Sequence, residues 1–207
     1  QVWLLDTRAF SGWAHLAAEI ARQDYDFAML GPLSIEAFTS ACIVRILKEA
    51  HPGRPVILGG LHVSMTKDKA FPPDDLAKFY FYRHGEEPSR MREFLDWKGE
   101  RGFDPARFPK ADYCVWNEGE LVTAAIVERA DLDAGDWDRE VMPWGSTFLN
   151  GKVVPDLNQM PHMDRSLFNE EFEREHPLLP ELPTPFHTIT FGRGCPYHCS
   201  YCSVGAQ

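Results

Sequence analysis

The chain has no apolar run near the roughly 20 residues that span a bilayer, so its 207 residues are expected to be soluble and cytoplasmic. It has little positive charge. A net charge of −10 argues against a nucleic-acid partner, because phosphate binding needs a basic face. It lacks the G-x-G-x-x-G and G-x-x-x-x-G-K-S/T loops that cradle pyrophosphates and triphosphates, so dinucleotide and triphosphate readings have no support. It has no repeats and no low-complexity tract. Five cysteines make an odd count without the paired pattern of a disulfide scaffold, which points to a reducing compartment. At 44% hydrophobic and 13% aromatic residues, the chain has ample material for a packed core.

The first 130 residues alternate strand-like and helix-like patterns. Val2-Trp3-Leu4-Leu5 reads as a short strand ending at Asp6. Trp13, Leu16, Ala17, Ile20 and Ala21 follow helical spacing. Phe27-Ala28-Met29-Leu30 is a second strand, stopped by Gly31-Pro32. Ser34 is an N-cap candidate for a helix with the stripe Ile35, Phe38, Cys42, Ile46 and Leu47. Pro55-Val56-Ile57-Leu58 is a third strand, stopped by Gly59-Gly60. Phe79-Tyr80-Phe81-Tyr82 is a strand candidate, Met91, Phe94 and Leu95 mark a short helix, and 99–109 reads as loop. Tyr113-Cys114-Val115-Trp116 resumes the strand pattern up to Asn117-Glu118-Gly119-Glu120, and a helix with Leu121, Ala124 and Ala125 follows. Apolar strands alternating with amphipathic helices predict an α/β domain, flavodoxin- or Rossmann-like, with a parallel sheet covered on both faces.

In such sheets ligands bind beyond the carboxyl ends of the strands. Those ends carry Asp6, Gly31, Gly59-Gly60 and Asn117-Glu118-Gly119. Glycine there lets a backbone approach a large flat ligand, although glycine is also the ordinary residue of a turn. Residues 131–185 change character, with prolines at 143, 155, 161, 177, 180, 183 and 185. This stretch reads as a connector. Asn150-Gly151 suggests a tight hairpin, and Glu170, Glu171, Glu173 and Glu175 suggest a solvated helix face. Cys42 and Cys114 sit on apolar patterns and read as small buried hydrophobes.

The remaining three cysteines carry the chemistry. Cys195, Cys199 and Cys202 fall within eight residues, in Arg193-Gly194-Cys195-Pro196-Tyr197-His198-Cys199-Ser200-Tyr201-Cys202. Iron–sulfur clusters are held by cysteine thiolates, normally four. Three would leave one iron of a four-iron cluster open, and an open position is what makes a metal site catalytic. Zinc held by the same three with His187 is the alternative, but zinc sites usually add a second C-x-x-C pair, which is absent.

The C-x-x-x-C-x-x-C spacing resembles the signature of the radical SAM enzymes. The stretch Val56-Ile57-Leu58-Gly59-Gly60-Leu61-His62 and the stretch Ala111 to Glu120, ending in Asn117-Glu118-Gly119-Glu120, resemble strands of their cobalamin-binding members, with Asn117 in place of a glycine. Asp156-Leu157-Asn158-Gln159-Met160-Pro161 and Asp164-Arg165 resemble the connector into the catalytic barrel. Thr188-Ile189-Thr190 resembles the barrel's first strand. The resemblance implies a cobalamin-binding domain over 1–130, a connector over 131–185 and the start of a radical SAM barrel over 186–207. It implies a 4Fe-4S cluster on Cys195, Cys199 and Cys202, S-adenosylmethionine on the open iron with Tyr201 near its adenine, and a 5′-deoxyadenosyl radical released by one electron. Gly31, Gly59, Gly60, Leu61, His62, Glu118 and Gly119 would line cobalamin. No D-x-H-x-x-G motif is present, and the first strand–helix unit and most of the barrel are expected to be missing from this chain. The implied function is methyl transfer to an unactivated carbon of a small-molecule or peptide substrate, with a flavodoxin or ferredoxin as electron donor. Ring formation or rearrangement with the same cofactors, a non-catalytic cobalamin module, and a zinc-binding structural protein are the alternatives.

Overall fold

The computed structural model describes residues 2–32, 36–65, 89–129, 132, 137–143, 145–162, 164–177 and 181. The chain divides into two compact units, one of Gly12–Pro155 and one of Gln1–Ser11 with Asp156–Gln207.

The first unit is α/β. Its described strands are β1 (Ala28–Leu30), β2 (Val56–Leu58), β3 (Tyr113–Asn117), β4 (Arg139–Val141) and β5 (Thr147–Gly151). They form one sheet in the order β1-β2-β3-β5-β4, parallel except for the antiparallel edge strand β4. This mostly parallel sheet is compatible with a Rossmann- or flavodoxin-like domain. Its described helices are α1 (Trp13–Arg22), α2 (Ala37–Ala50), α3 (Gly60–Met65), α4 (Ser89–Lys98) and α5 (Glu120–Val127). None of the described helices is long and apolar enough to cross a membrane.

The strands read as apolar runs because both faces are covered. Val56, Ile57 and Leu58 are all buried, although successive side chains point to opposite faces. Ile57, Val115 and Leu149 share one face and pack on Val122 and Ile126 of α5. The helix stripe therefore falls one residue later than Leu121, Ala124 and Ala125 suggested; Leu121 is exposed. Leu58, Cys114, Trp116 and Phe148 lie on the other face, all buried. Burial makes Cys42 and Cys114 apolar filler, pushing the Cys114 thiol up to about 12 and Cys42 further.

Away from the sheet, α1, α2 and α4 meet through aromatics. Trp13 packs edge-on to Phe94 at 5.1 Å, and Phe108 joins Phe94, Phe38 and Phe103 from the loop after α4. The guanidinium of Arg45 lies over Phe94 and Phe108 at 5.5 and 5.2 Å, and bonds Glu100 and Glu49. The stripes Trp13/Leu16/Ile20, Phe38/Cys42/Ile46/Leu47 and Met91/Phe94/Leu95 are buried as their spacing indicates, but Ala17, expected on the first stripe, is half-buried and Ala21 is exposed.

Three sequence expectations change. Residues 2–5 are not a strand; Val2, Trp3, Leu4 and Leu5 are exposed, and Asp6 caps a 3-10 turn (Thr7–Ala9) in the second unit. The stretch 139–151 belongs to the sheet, so its unit runs to Pro155 instead of yielding to a connector near residue 130. Asn150-Gly151 is not a hairpin turn but the end of β5; the β4–β5 turn lies at 142–146, where Gly145 takes φ +94°. The strand candidate 79–82, Ser34, Ile35 and Thr188-Ile189-Thr190 lie outside the described residues.

Candidate functional site at the carboxyl edge of the sheet

Because β1, β2, β3 and β5 run parallel, their carboxyl ends share one edge. β1 ends in Gly31-Pro32 and β2 in Gly59, whose N–H donates to the Leu30 carbonyl at 2.9 Å. Gly60 opens α3 at φ +79°, a conformation L side chains rarely adopt. A Cβ on Gly60 would stand 2.9 Å from the Gly31 carbonyl carbon, so these two backbones need glycine to pass. Gly31 differs: a Cβ there meets nothing within 4 Å. Gly31 and Gly60 are exposed, while Gly59, Glu118 and Gly119 are half-buried.

β3 ends at Asn117, held at φ +62°. Its N–H donates to Ser64 Oγ at 3.0 Å, and the Ser64 hydroxyl donates to the Gly60 carbonyl at 3.2 Å. Its Nδ2 donates to Asn150 Oδ1 at 2.7 Å, and Asn150 Nδ2 donates to Asp138 at 3.0 Å. Beyond the turn, Gly119 precedes α5, and Gly151 has no room for a Cβ because the Glu118 carbonyl fills that space.

The edge thus offers backbone without side chains at Gly31, Gly59 and Gly60, next to amides, a hydroxyl and carboxylates. Gly60 has its own structural reason to be glycine, the Gly31 backbone beside it, so open backbone at Gly31 is what this edge offers to the expected cobalamin. Of the residues expected to line it, Gly31, Gly59, Gly60, Glu118 and Gly119 come together here. Leu61 and His62 fall on α3, next to Gly60, with side chains outside the described set. Cys195, Cys199, Cys202 and Tyr201 lie outside the described residues, and among the described residues no group of three or more His, Cys, Asp or Glu could hold a metal. For the cluster, the donor set itself, three thiolates at close spacing, is what fits.

Sequence reasoning missed Ser64, Asp138, Asn150 and Gly151. The last two read as a turn dipeptide, and only the register of β3 on β5 brings them to this edge. Asn117 gave a usable signal: asparagine is the non-glycine residue that best tolerates a positive φ.

Comparison with family models, with curated proteins and with solved structures returns no match to the chain.

Proposed function

We propose that the chain is the cobalamin-binding front of a radical SAM enzyme, with residues 186–207 opening its barrel and methyl transfer to an unactivated carbon as its reaction. The observation that carries the reading is the spacing of Cys195, Cys199 and Cys202, three thiolates that leave one iron of a four-iron cluster open. The glycine-lined sheet edge supports the second cofactor. When bound, the cluster with S-adenosylmethionine supplies a hydrogen-abstracting radical, and methylcobalamin supplies the methyl group. The chain's own work is binding and placement. Cys195, Cys199 and Cys202 hold the iron, and Tyr201 packs near the adenine. Gly31 admits the flat cofactor, while Gly59, Gly60, Glu118 and Gly119 shape the rim with Leu61 and His62. A reducing, cytoplasmic setting and a flavodoxin- or ferredoxin-type electron donor complete the reading.

Anaerobic reconstitution tests the cluster. About four irons and four sulfides per chain are expected, with both lost in Cys199→Ala. Stoichiometric zinc without sulfide overturns it in favour of a structural zinc site. Titration with hydroxocobalamin tests the edge. Gly31→Val is the clean variant, since the added side chain starts in open space. It should fold as wild type and bind at least about tenfold more weakly, a loss of about 1.4 kcal/mol. Equal binding by wild type and variant would place the cofactor elsewhere. Gly60 is unsuitable, because any side chain there strains the fold itself.

A further inference from the structure

A line of hydrogen bonds crosses the sheet edge, from Gly60 through Ser64, Asn117 and Asn150 to Asp138. Its centre is Asn117, where backbone and side chain make the same demand. In register, Trp116 pairs with Asn150 and Asn117 with Gly151. A regular strand would therefore put the Asn117 side chain on the face of Tyr113 and Val115, opposite that of Asn150. The φ of +62° turns the amide out of that alternation and onto Asn150 Oδ1. Glycine would accept the φ and lose the bond. Alanine would lose the bond and carry the strain. Asparagine meets both conditions.

The far side of the same turn is equally constrained. Gly151 sits against the Glu118 carbonyl so closely that only a hydrogen fits. Asn150, next to it, is gripped at both ends, since its backbone N–H donates to the Asp138 carbonyl at 2.9 Å while its side-chain amide donates to the Asp138 carboxylate. The turn at 117–119 is thus fixed from α3 on one side and from β5 on the other.

We infer that Asn117 is a positioning residue: its ties to Ser64 and Asn150 hold the Asn117-Glu118-Gly119 turn in its binding shape before any ligand arrives. A preorganised rim lowers the ordering cost of binding. The identity of the ligand rests on the reading proposed above; the rigidity of the turn does not.

The test compares Asn117→Gly, Asn150→Ala and their double variant by amide hydrogen exchange in the free protein and by hydroxocobalamin titration. Each single change should speed exchange at Glu118 and Gly119 by about three- to tenfold. The strands' other amides and the melting temperature should stay put. Both variants remove the Asn117–Asn150 bond and Asn150→Ala also removes the bond to Asp138, so the double variant should match Asn150→Ala alone instead of summing the two. Hydroxocobalamin affinity should fall by a similar factor in all three. Unchanged exchange at Glu118 and Gly119 overturns the tie. Faster exchange throughout the sheet, with a matching fall in melting temperature, overturns a positioning role in favour of a structural one. Local exchange that rises as expected while wild type binds no hydroxocobalamin upholds the tie and overturns the cofactor reading.

Discussion

The two compact units hold themselves together by different physics. The unit of Gly12–Pro155 buries its side chains: Leu58, Phe94, Val122, Phe148 and Leu149 have essentially no exposed surface. The described part of the other unit contains three 3-10 turns and one short helix, α6 (Glu170–Glu175), and none of the four buries a residue. Each is started instead by a side chain that accepts a backbone N–H. Asp6 accepts from Arg8 at 2.9 Å, Asp156 from Asn158 and Asp164 from Ser166 at 3.0 Å, and Asn169 from Phe172 at 3.1 Å. Arg8 is a long-range hub among its described residues, bonding Asp6, Glu173 and the His176 carbonyl and lying over the Phe172 ring. Burial is cooperative and local capping is not. Damage should therefore spread in the first unit and stay put in the second.

The largest effect is expected from the core. Phe148 lies at 0% exposure in β5, at 6.1 Å from the Trp116 ring. Phe148→Ala should cost about 3–5 kcal/mol, the usual sum of lost burial and an unfilled cavity. Urea denaturation checks it. A loss under about 1 kcal/mol would mean the site collapses freely, and the contrast between the units would fail.

Next comes the buried ion pair. Arg45 is 6% exposed and bonds Glu100 at 2.6 Å. Arg45→Ala should cost about 3 kcal/mol at neutral pH, because it takes from the sheltered Glu100 carboxylate its buried partner and leaves it to the more exposed Arg107. The same pair sets an acid limit. The Arg45 guanidinium, helped by Arg107, holds the Glu100 carboxyl down to about 2 from its ordinary 4.5. A depressed folded value means the unfolded chain takes up the proton first. The stabilisation is therefore complete above about 4.5 and is lost as pH falls from there towards about 2. Urea midpoints across that window should fall in wild type and change much less in Arg45→Ala. Parallel curves would show that other carboxylates govern acid unfolding.

Legibility from sequence follows the same division. The strands at 28–30, 56–58 and 113–117 and the stripes of α1, α2 and α4 could be read because burial writes itself as apolar runs and helical spacing. The strands at 139–151 could not, because β4 is an exposed edge with no apolar pattern and Asn150-Gly151 carries turn chemistry. Residues 2–5 mislead in the opposite direction: four apolar residues in a row, exposed and unpaired in any described sheet. At the site, the glycines were legible as strand stops. The tie that shapes the rim was not, because a bond between Asn117 and Asn150 depends on strand register, which neither residue states on its own.

The smallest expected effect belongs to the second unit and sharpens the comparison most. Asn169 caps α6 by accepting the Phe172 N–H, and Glu170, Glu171 and Glu173 crowd the first turn, where the helix dipole favours negative charge. A helix of this length is marginal alone. Asn169→Ala should therefore cost about 1 kcal/mol of local stability, read as faster amide exchange over Glu170–Glu175, with the urea midpoint of the sheet unit unmoved. Asn169→Asp should restore the protection, since a carboxylate caps as well as an amide and adds favourable charge at the positive end of the dipole. A shift in the sheet unit's midpoint on Asn169→Ala would mean that the caps report on a shared core, and that capping and burial are not separate means of support in this chain.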